Sequence, residues 1–158
     1  ILFTPLFGAL VDKVGKATLW MIVGSALVLI SHLIITFAPQ GEPVYAYIAI
    51  ALLGTGYSLV PSAMWPSVPK IIPEKNLGTA YSLIYWVQNL GMWAVPIYVG
   101  RIFKNTITEA GNATQEISAA IRAEYVFIFL GIIAIATALM LYFSSKRHPE
   151  LHLDKAAK

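Results

Sequence analysis

The sequence contains no cysteine and few charged side chains, with 11 Lys and Arg and 8 Asp and Glu in 158 residues. The absence of cysteine excludes disulfides, thiolate nucleophiles and Cys-ligated metals within this chain. Charged residues make up 12% of the sequence, against about 25% in an ordinary soluble domain. So few charges cannot cover the outer surface of a water-soluble domain of this length. The composition therefore predicts a surface that meets membrane lipid.

The chain also lacks the patterns expected of a nucleic-acid-binding protein, a metal site or an enzyme. Its basic residues are scattered between apolar blocks and form no stripe interleaved with aromatics, so nucleic acid is not an expected partner. His32, His148 and His152 are too dispersed for a metal site, and we expect neither a metal nor a cofactor. An enzyme needs a placed set of acid, base, nucleophile or ligand groups. Neither the apolar segments nor their ends supply such a set, so the sequence predicts no enzymatic activity.

Four apolar segments are long enough to cross a bilayer, which takes about 20 helical residues at about 1.5 Å each. Their approximate bounds are 17–38, 44–66, 79–100 and 123–144. Strands are excluded by segment length and by the lack of alternation. Residues 1–11 resemble the end of a preceding span, and residues 145–158 form a tail. We therefore expect an all-α fold, a polytopic transmembrane helix bundle, of which residues 1–158 are one C-terminal piece.

Prolines follow the second span, and Pro66, Pro69 and Pro73 are expected to prevent a continuous helix beyond it. His32 stands alone in the first span. We favour a hydrogen bond from His32 to a neighbouring helix, or a place beside the polar Ser31, over a proton relay, because an imidazole in hydrocarbon needs a partner.

The loops differ in positive charge, which predicts the orientation of an integral multi-pass protein, because cytoplasmic loops carry the excess of Lys and Arg. Eight basic residues fall on one side: Lys13, Lys16, Lys70, Lys75, Lys146, Arg147, Lys155 and Lys158. Three fall on the other: Arg101, Lys104 and Arg122. The side with eight, which includes the C-terminus, is predicted to be cytoplasmic.

A glycine-framed loop of acidic and basic residues, Gly8-Ala9-Leu10-Val11-Asp12-Lys13-Val14-Gly15-Lys16, precedes the first complete span. Gly8 and Gly15 would let two helices approach closely around a short turn. Asp12 could accept hydrogen bonds from a helix N-terminus or pair with a basic side chain. An ordinary polar turn would explain the same residues.

The spacing of this loop resembles the cytoplasmic loop signature of the major facilitator superfamily, G-x-x-x-D-[RK]-x-G-[RK]-[RK]. The matching residues are Gly8, Asp12, Lys13, Gly15 and Lys16, which the resemblance implies form a conformational loop, and Ala17 departs from the last basic position. In that superfamily the loop follows the second and eighth of twelve helices. Because four spans follow the loop here, the resemblance implies that this chain comprises the end of helix eight and helices nine to twelve. The N-terminal helices of the same polypeptide would then be a partner of this chain.

Further segments are similar to a branch of that superfamily that includes lysosomal dipeptide transporters and bacterial relatives. They include residues 53–59, 64–66, 72–74, 77–81 and 87–91. The resemblance implies alternating-access transport of small solutes, with short peptides such as dipeptides foremost. It favours a bacterial inner membrane, or the lysosomal membrane if the source is eukaryotic, and leaves an accessory subunit undetermined. A carrier of a sugar, organic anion or drug, and a non-transporting membrane scaffold, remain alternatives.

Two predicted helices carry polar and aromatic side chains at the spacing of one helical face. An amide left unpaired in hydrocarbon costs several kcal/mol, so it must meet another helix, water or a ligand. A peptide-like substrate would complement such amides with its own donors and acceptors. The predicted substrate-binding residues are Tyr57, Trp65, Tyr85, Gln88 and Asn89. Packing between helices is the alternative for the amides, and an interfacial anchor is the alternative for Trp65.

Overall fold

The computed structural model describes residues 3–39, 41–108 and 111–156, which are almost entirely helical. Within these ranges lie five α-helices: α1 (Phe3–Val14), α2 (Ala17–Phe37), α3 (Pro43–Ile71), α4 (Leu77–Thr106) and α5 (Ala113–Arg147). Short 3₁₀ turns at Glu74–Asn76 and Pro149–Leu151 precede α4 and follow α5. The described ranges contain no strand. The predicted all-α fold is confirmed.

Helices α2, α3 and α5 are long and apolar enough to cross a membrane. Helix α4 has 30 residues, which is also long enough at about 1.5 Å per residue. Its most apolar stretch is less apolar than those of the other three, and Gln88 and Asn89 lie within that stretch. The crossing of the membrane by α4, and the bounds of the four spans, stay predictions.

The helix is interrupted after the second predicted span, as expected, but the interruption comes at Pro73 and not at Pro66 or Pro69. Helix α3 continues through Pro61, Pro66 and Pro69 and ends at Ile71. Each proline removes one backbone donor, but membrane helices tolerate this where nearby polar side chains and helices satisfy the backbone. Serine hydroxyls in the same turns donate to the backbone oxygens of Ser58 (from Ser62, 2.7 Å) and Ala63 (from Ser67, 2.7 Å). The oxygens that the prolines leave without a helical donor are different ones, those of Tyr57, Ser62 and Trp65. The helix stops shortly before Pro73, because the residue preceding a proline is biased away from the α conformation.

The packed core lies where α1, α2, α3 and α5 meet, around the small and medium side chains of Val11, Ala17, Met21, Ala63 and Ala138. Helix α2 lies against both α3 and α5, and α1 lies against α3. Helix α4 packs mainly against α5, and none of its residues is buried by the described part of the chain. Helix α4 therefore lies at the edge of the bundle and leaves most of its surface open.

Candidate functional site

An aromatic cluster of Trp65, Tyr81 and Tyr85 joins α3 to α4. The Trp65 ring lies 5.1 Å from the Tyr85 ring and 5.7 Å from the Tyr81 ring, measured between centroids. Separations of about 4.5–7 Å are typical of favourable aromatic pairs. The structure thus brings together two of the predicted substrate-binding residues, Trp65 and Tyr85. The cluster lies toward the end of the bundle that contains the connection between the two helices, residues 72–76.

The other three predicted site residues lie on open surface. The Tyr57 side chain is 73% exposed, and both Gln88 and Asn89 are exposed. The Asn89 amide donates to the backbone oxygen of Tyr85 at 2.8 Å, within its own helix. The Gln88 side chain has no hydrogen-bond partner among the residues that the structure describes. The described helices therefore do not cover these amides.

The aromatic cluster fixes which way α4 faces. At about 100° per residue, Tyr81, Tyr85 and Gln88 fall within roughly 60° of one another on α4. Because the two tyrosines contact Trp65, the face that carries Gln88 turns toward the α3 side of the bundle. Trp86, which is 63% exposed, and Trp93 lie on other parts of the α4 surface. Helix α4 thus has a polar face on the α3 side and an apolar face away from it.

The glycine-framed loop between α1 and α2 makes a sharp turn at Gly15 and Lys16, whose φ angles are 72° and 58°. A Cβ atom on Gly15 would lie 2.6 Å from the backbone oxygen of Asp154, so glycine is required by both conformation and space. A Cβ atom on Gly8 would meet nothing within 4 Å. Asp12 and Lys13 are exposed and form no ion pair within the described ranges. Their part in a conformational loop stays a prediction.

Residues 148–156, which we call the C-terminal tail, fold back onto this loop. The Asp154 carboxylate accepts hydrogen bonds from the Thr18 backbone N–H (3.0 Å), the Thr18 hydroxyl (2.8 Å) and the Ser145 hydroxyl (3.0 Å). The Lys70 ammonium donates to the backbone oxygens of Leu153 (3.3 Å) and Lys155 (3.0 Å). The tail therefore ties together the adjacent ends of α2, α3 and α5. Sequence reasoning missed this contact, because no local spacing links Asp154 to Thr18.

Elsewhere in the tail, the exposed Glu150 carboxyl faces His148, whose Nδ1 lies 2.9 Å from its Oε1. The pKa of Glu150 is lowered, first by a hydrogen bond from its own backbone N–H and then by the one from His148.

His32 bridges α2 and α5, as the sequence predicts. Its Nδ1 lies 2.7 Å from Oε2 of Glu124, and its ring stacks on Phe127 at 5.0 Å between centroids. Both side chains of the pair are largely buried. The expectation of a hydrogen bond from His32 to a neighbouring helix is confirmed.

Long apolar helices, packed through small residues and joined at one end by polar contacts, define an integral multi-pass membrane protein of the helical-bundle type. The family model described as Major Facilitator Superfamily matches residues 1–158, and the chain belongs to this superfamily. The family resemblance carried by the loop motif is thereby confirmed.

Among the curated relatives, the lysosomal dipeptide transporter MFSD1 of Mus musculus is 43% identical over 99 residues, which cover 63% of this chain and 20% of that protein. The MFSD1 proteins of Homo sapiens and Danio rerio are 41% and 39% identical over the same share of this chain, and cover 20% and 21% of those proteins. The chain thus spans about a fifth of the length of the relatives it matches. No solved structure matches it significantly.

Proposed function

We propose that the full-length protein containing this chain is a secondary transporter that moves short peptides, dipeptides foremost, by alternating access. This chain would supply one wall of the substrate cavity. The observation that carries the proposal is the exposure of three polar side chains on α3 and α4, because Tyr57, Gln88 and Asn89 all remain uncovered by the described helices of a membrane protein. Amides at that depth require water, substrate or a further part of the protein. The names of the matched relatives, which are dipeptide transporters, support the choice of substrate.

The residue types on this face suit a peptide substrate. A peptide bond offers one donor and one acceptor, and the Gln88 amide offers both. The Tyr57 and Tyr85 hydroxyls add further hydrogen-bonding groups, while the Trp65 ring offers an apolar surface to a substrate side chain. The charged termini of a peptide need counter-charges in an apolar site. No Lys, Arg, Asp or Glu lies between residues 76 and 100, so we assign those partners to other helices of the full-length protein.

The proposed orientation places the C-terminus in the cytoplasm, in a bacterial inner membrane or, for a eukaryotic source, the lysosomal membrane. Lys16 follows the turn at Gly15, which contacts the tail, and Lys70 bonds to the same tail. Basic residues of the α1–α2 loop, of the end of α3 and of the tail, such as Lys16, Lys70 and Lys155, therefore lie at one end of the bundle. That arrangement supports a single cytoplasmic side, because positive charge concentrates there.

The test is uptake of a labelled dipeptide into vesicles that contain the full-length protein and its Gln88→Leu variant. Loss of one hydrogen bond to the substrate should lower the apparent affinity about tenfold. Trp86→Phe, on the same helix but a different face, is the matched control and should retain uptake. A double variant, Gln88→Leu with Tyr57→Phe, should lose more.

If Gln88→Leu and the double variant both take up the dipeptide as the wild type does, the assignment of this face to substrate is contradicted. If dipeptides neither accumulate nor compete while a sugar or organic anion does, the protein is a carrier of another metabolite. If no solute moves, the scaffold alternative is favoured.

A further inference from the structure

A second open feature lies between α4 and α5, away from the polar face. It is a cleft of about 890 Å³ whose α4 wall runs from Trp93 to Ile102 and whose α5 wall runs from Arg122 to Leu130. At about 100° per residue, Trp93, Ile97 and Arg101 lie roughly 140° to 180° from Gln88 around α4. The cleft therefore opens on the side of the bundle that faces lipid, not on the side of the proposed substrate cavity.

Two arginines stand at one end of this cleft. Arg101 and Arg122 both line it and both are exposed. Neither forms an ion pair with any of the residues described here. Arg101 lies one residue beyond the predicted span 79–100, and Arg122 lies one residue before the predicted span 123–144. Two unrelated stretches of sequence thus place a guanidinium at the same membrane boundary, and the fold brings them to one cleft.

The rest of the cleft is apolar and extends from that boundary into the hydrocarbon layer. Trp93 and Ile97 line it from α4, and Phe129 and Leu130 line it from α5. The rise of eight or nine residues along the two walls corresponds to about 12–14 Å, most of the roughly 15 Å half-thickness of the hydrocarbon core. Tyr98 and Tyr125 flank the arginines, where amphipathic rings are favoured at the level of lipid headgroups.

We propose that this cleft binds an anionic phospholipid, with its phosphate at Arg101 and Arg122 and an acyl chain between α4 and α5. A guanidinium binds a phosphate through two parallel hydrogen bonds and loses its hydration more easily than an ammonium. The apolar walls match an acyl chain, so a phospholipid fits this cleft better than a small hydrophilic phosphate compound does. The lipid would strengthen the contact of α4 with α5, the helix against which it mainly packs.

The test uses quenching of Trp93 fluorescence in the full-length protein, because this side chain lines the apolar part of the cleft. The protein is placed in phosphatidylcholine nanodiscs that contain a minor fraction of either phosphatidylglycerol or phosphatidylcholine with brominated acyl chains. The signal of Trp93 is the difference between the wild type and Trp93→Phe. We expect brominated phosphatidylglycerol to quench Trp93 more strongly than brominated phosphatidylcholine.

The arginine variants give the decisive comparison. Arg101→Gln with Arg122→Gln should reduce the preference for phosphatidylglycerol by roughly thirtyfold, since each basic residue near an anionic lipid contributes about fivefold. Lys104→Gln removes an exposed positive charge from the same end of α4, outside the cleft, and should keep the preference. Arg101→Lys with Arg122→Lys keeps the charge but not the paired hydrogen bonds, and should give an intermediate preference. The double lysine variant also tests the proposal if the double glutamine variant fails to fold.

Equal quenching of Trp93 by both lipids in the wild type would overturn the proposal. A preference that survives in the double glutamine variant would overturn it as well. Inorganic phosphate that abolishes the preference at concentrations below those of the lipid would show that the arginines bind a free anion instead. Dipeptide uptake is measured separately, so a failure of the lipid site leaves the proposed transport function untouched.

Discussion

Asp154 is a single side chain that connects three parts of the chain. Its carboxylate binds Thr18 near the start of α2 and Ser145 near the end of α5, and its backbone oxygen accepts from the Lys16 N–H at 2.9 Å. The first N–H groups of a helix have no partner within the helix. A carboxylate at that position satisfies one of them and also faces the positive end of the helix dipole. At the scale of the residue, Asp154 therefore acts as the N-terminal cap that Lys16, at the N-cap position of α2, does not supply.

The first prediction concerns this cap. Asp154→Ala should lower the free energy of unfolding of the full-length protein by about 1–3 kcal/mol, because donors at the start of α2 lose their acceptor. The measurement is thermal unfolding of the purified protein in detergent. Glu150→Ala is the matched control, since this carboxylate is exposed on the same tail and bonds to His148 two residues away. Equal unfolding temperatures for Asp154→Ala and the wild type would contradict the prediction.

The residue scale also shows what a sequence can and cannot predict. A partner for His32 is predictable, because an imidazole in an apolar segment cannot remain unpaired. Its identity as Glu124 is not, because it depends on how α2 lies against α5. The contact between Thr18 and Asp154 is less predictable still, since these residues are separated by 136 positions and neither is unusual in its local sequence. Gly15 is required by its contact with Asp154, so the reason for that glycine becomes visible in three dimensions.

At the scale of the element, the crossing of α2 and α3 is set by two glycines that face each other. A Cβ atom on Gly56 would lie 2.6 Å from the backbone oxygen of Gly24 and 3.0 Å from a methyl group of Val28. Membrane helices approach most closely at such small residues. The four-residue spacing of Gly54, Ser58 and Ser62 in the sequence predicts a small-residue ridge that would place the close approach at Gly54, and Gly56 lies outside that spacing. A Cβ atom on Gly54 would meet nothing within 4 Å, so packing distinguishes the two.

The second prediction concerns Gly56, and Gly54 in the same helix is its control. Gly56→Ala should lower stability by about 1–3 kcal/mol, because the added methyl group meets backbone that cannot move aside without separating the helices. Gly54→Ala should be neutral or stabilising by up to about 1 kcal/mol, since alanine favours the helix and the space is open. Thermal unfolding of the two variants in one detergent measures the difference. Equal effects of the two substitutions would show that α2 and α3 do not cross at Gly56.

Helix α3 illustrates the limit of element boundaries read from a sequence. Proline is a reliable signal for a helix end in water, but Pro66 and Pro69 lie inside a helix of 29 residues. The neighbouring helices α1 and α2 hold α3 in place, and Ser62 donates to the backbone oxygen of Thr4 on α1 at 3.0 Å. Tertiary contacts thus override the local signal. Segment length and hydropathy remain good guides to the existence of each helix, since α3 to α5 each contain a predicted span and α2 covers all but the last residue of another.

At the scale of the whole molecule, the polar groups divide into two sets. The C-terminal tail joins the ends of α2, α3 and α5, so that end of the bundle is held by hydrogen bonds from three helices. Further along α3 and α4, Tyr57 and Gln88 lie on open surface. The sequence predicts which face of each helix is polar, through the helical period. It does not predict that these faces stay uncovered by the other described helices, because that depends on the position of α4 at the edge of the bundle.

The third prediction tests whether this open surface meets water. The chain has no cysteine, so single cysteines can be introduced at Tyr57, Gln88 and Trp86 in a full-length protein whose remaining cysteines have been replaced. A cavity wall requires that Tyr57→Cys and Gln88→Cys react with a membrane-impermeant thiol reagent. Trp86→Cys, on an apolar part of α4, should react at least about tenfold more slowly, because a thiol in lipid does not form the reactive thiolate.

A saturating dipeptide should slow the reaction at Gln88→Cys but leave the reaction at a cysteine in the last turn of α4, such as Lys104→Cys, unchanged. Protection at the first position alone would place the substrate against the polar face of α4. Equal reactivity at Gln88→Cys and Trp86→Cys would instead mean that both sides of α4 share one environment. In that case α4 would be surrounded by lipid, or by protein on every side, and the division of its surface into a water-facing and a lipid-facing part would be wrong.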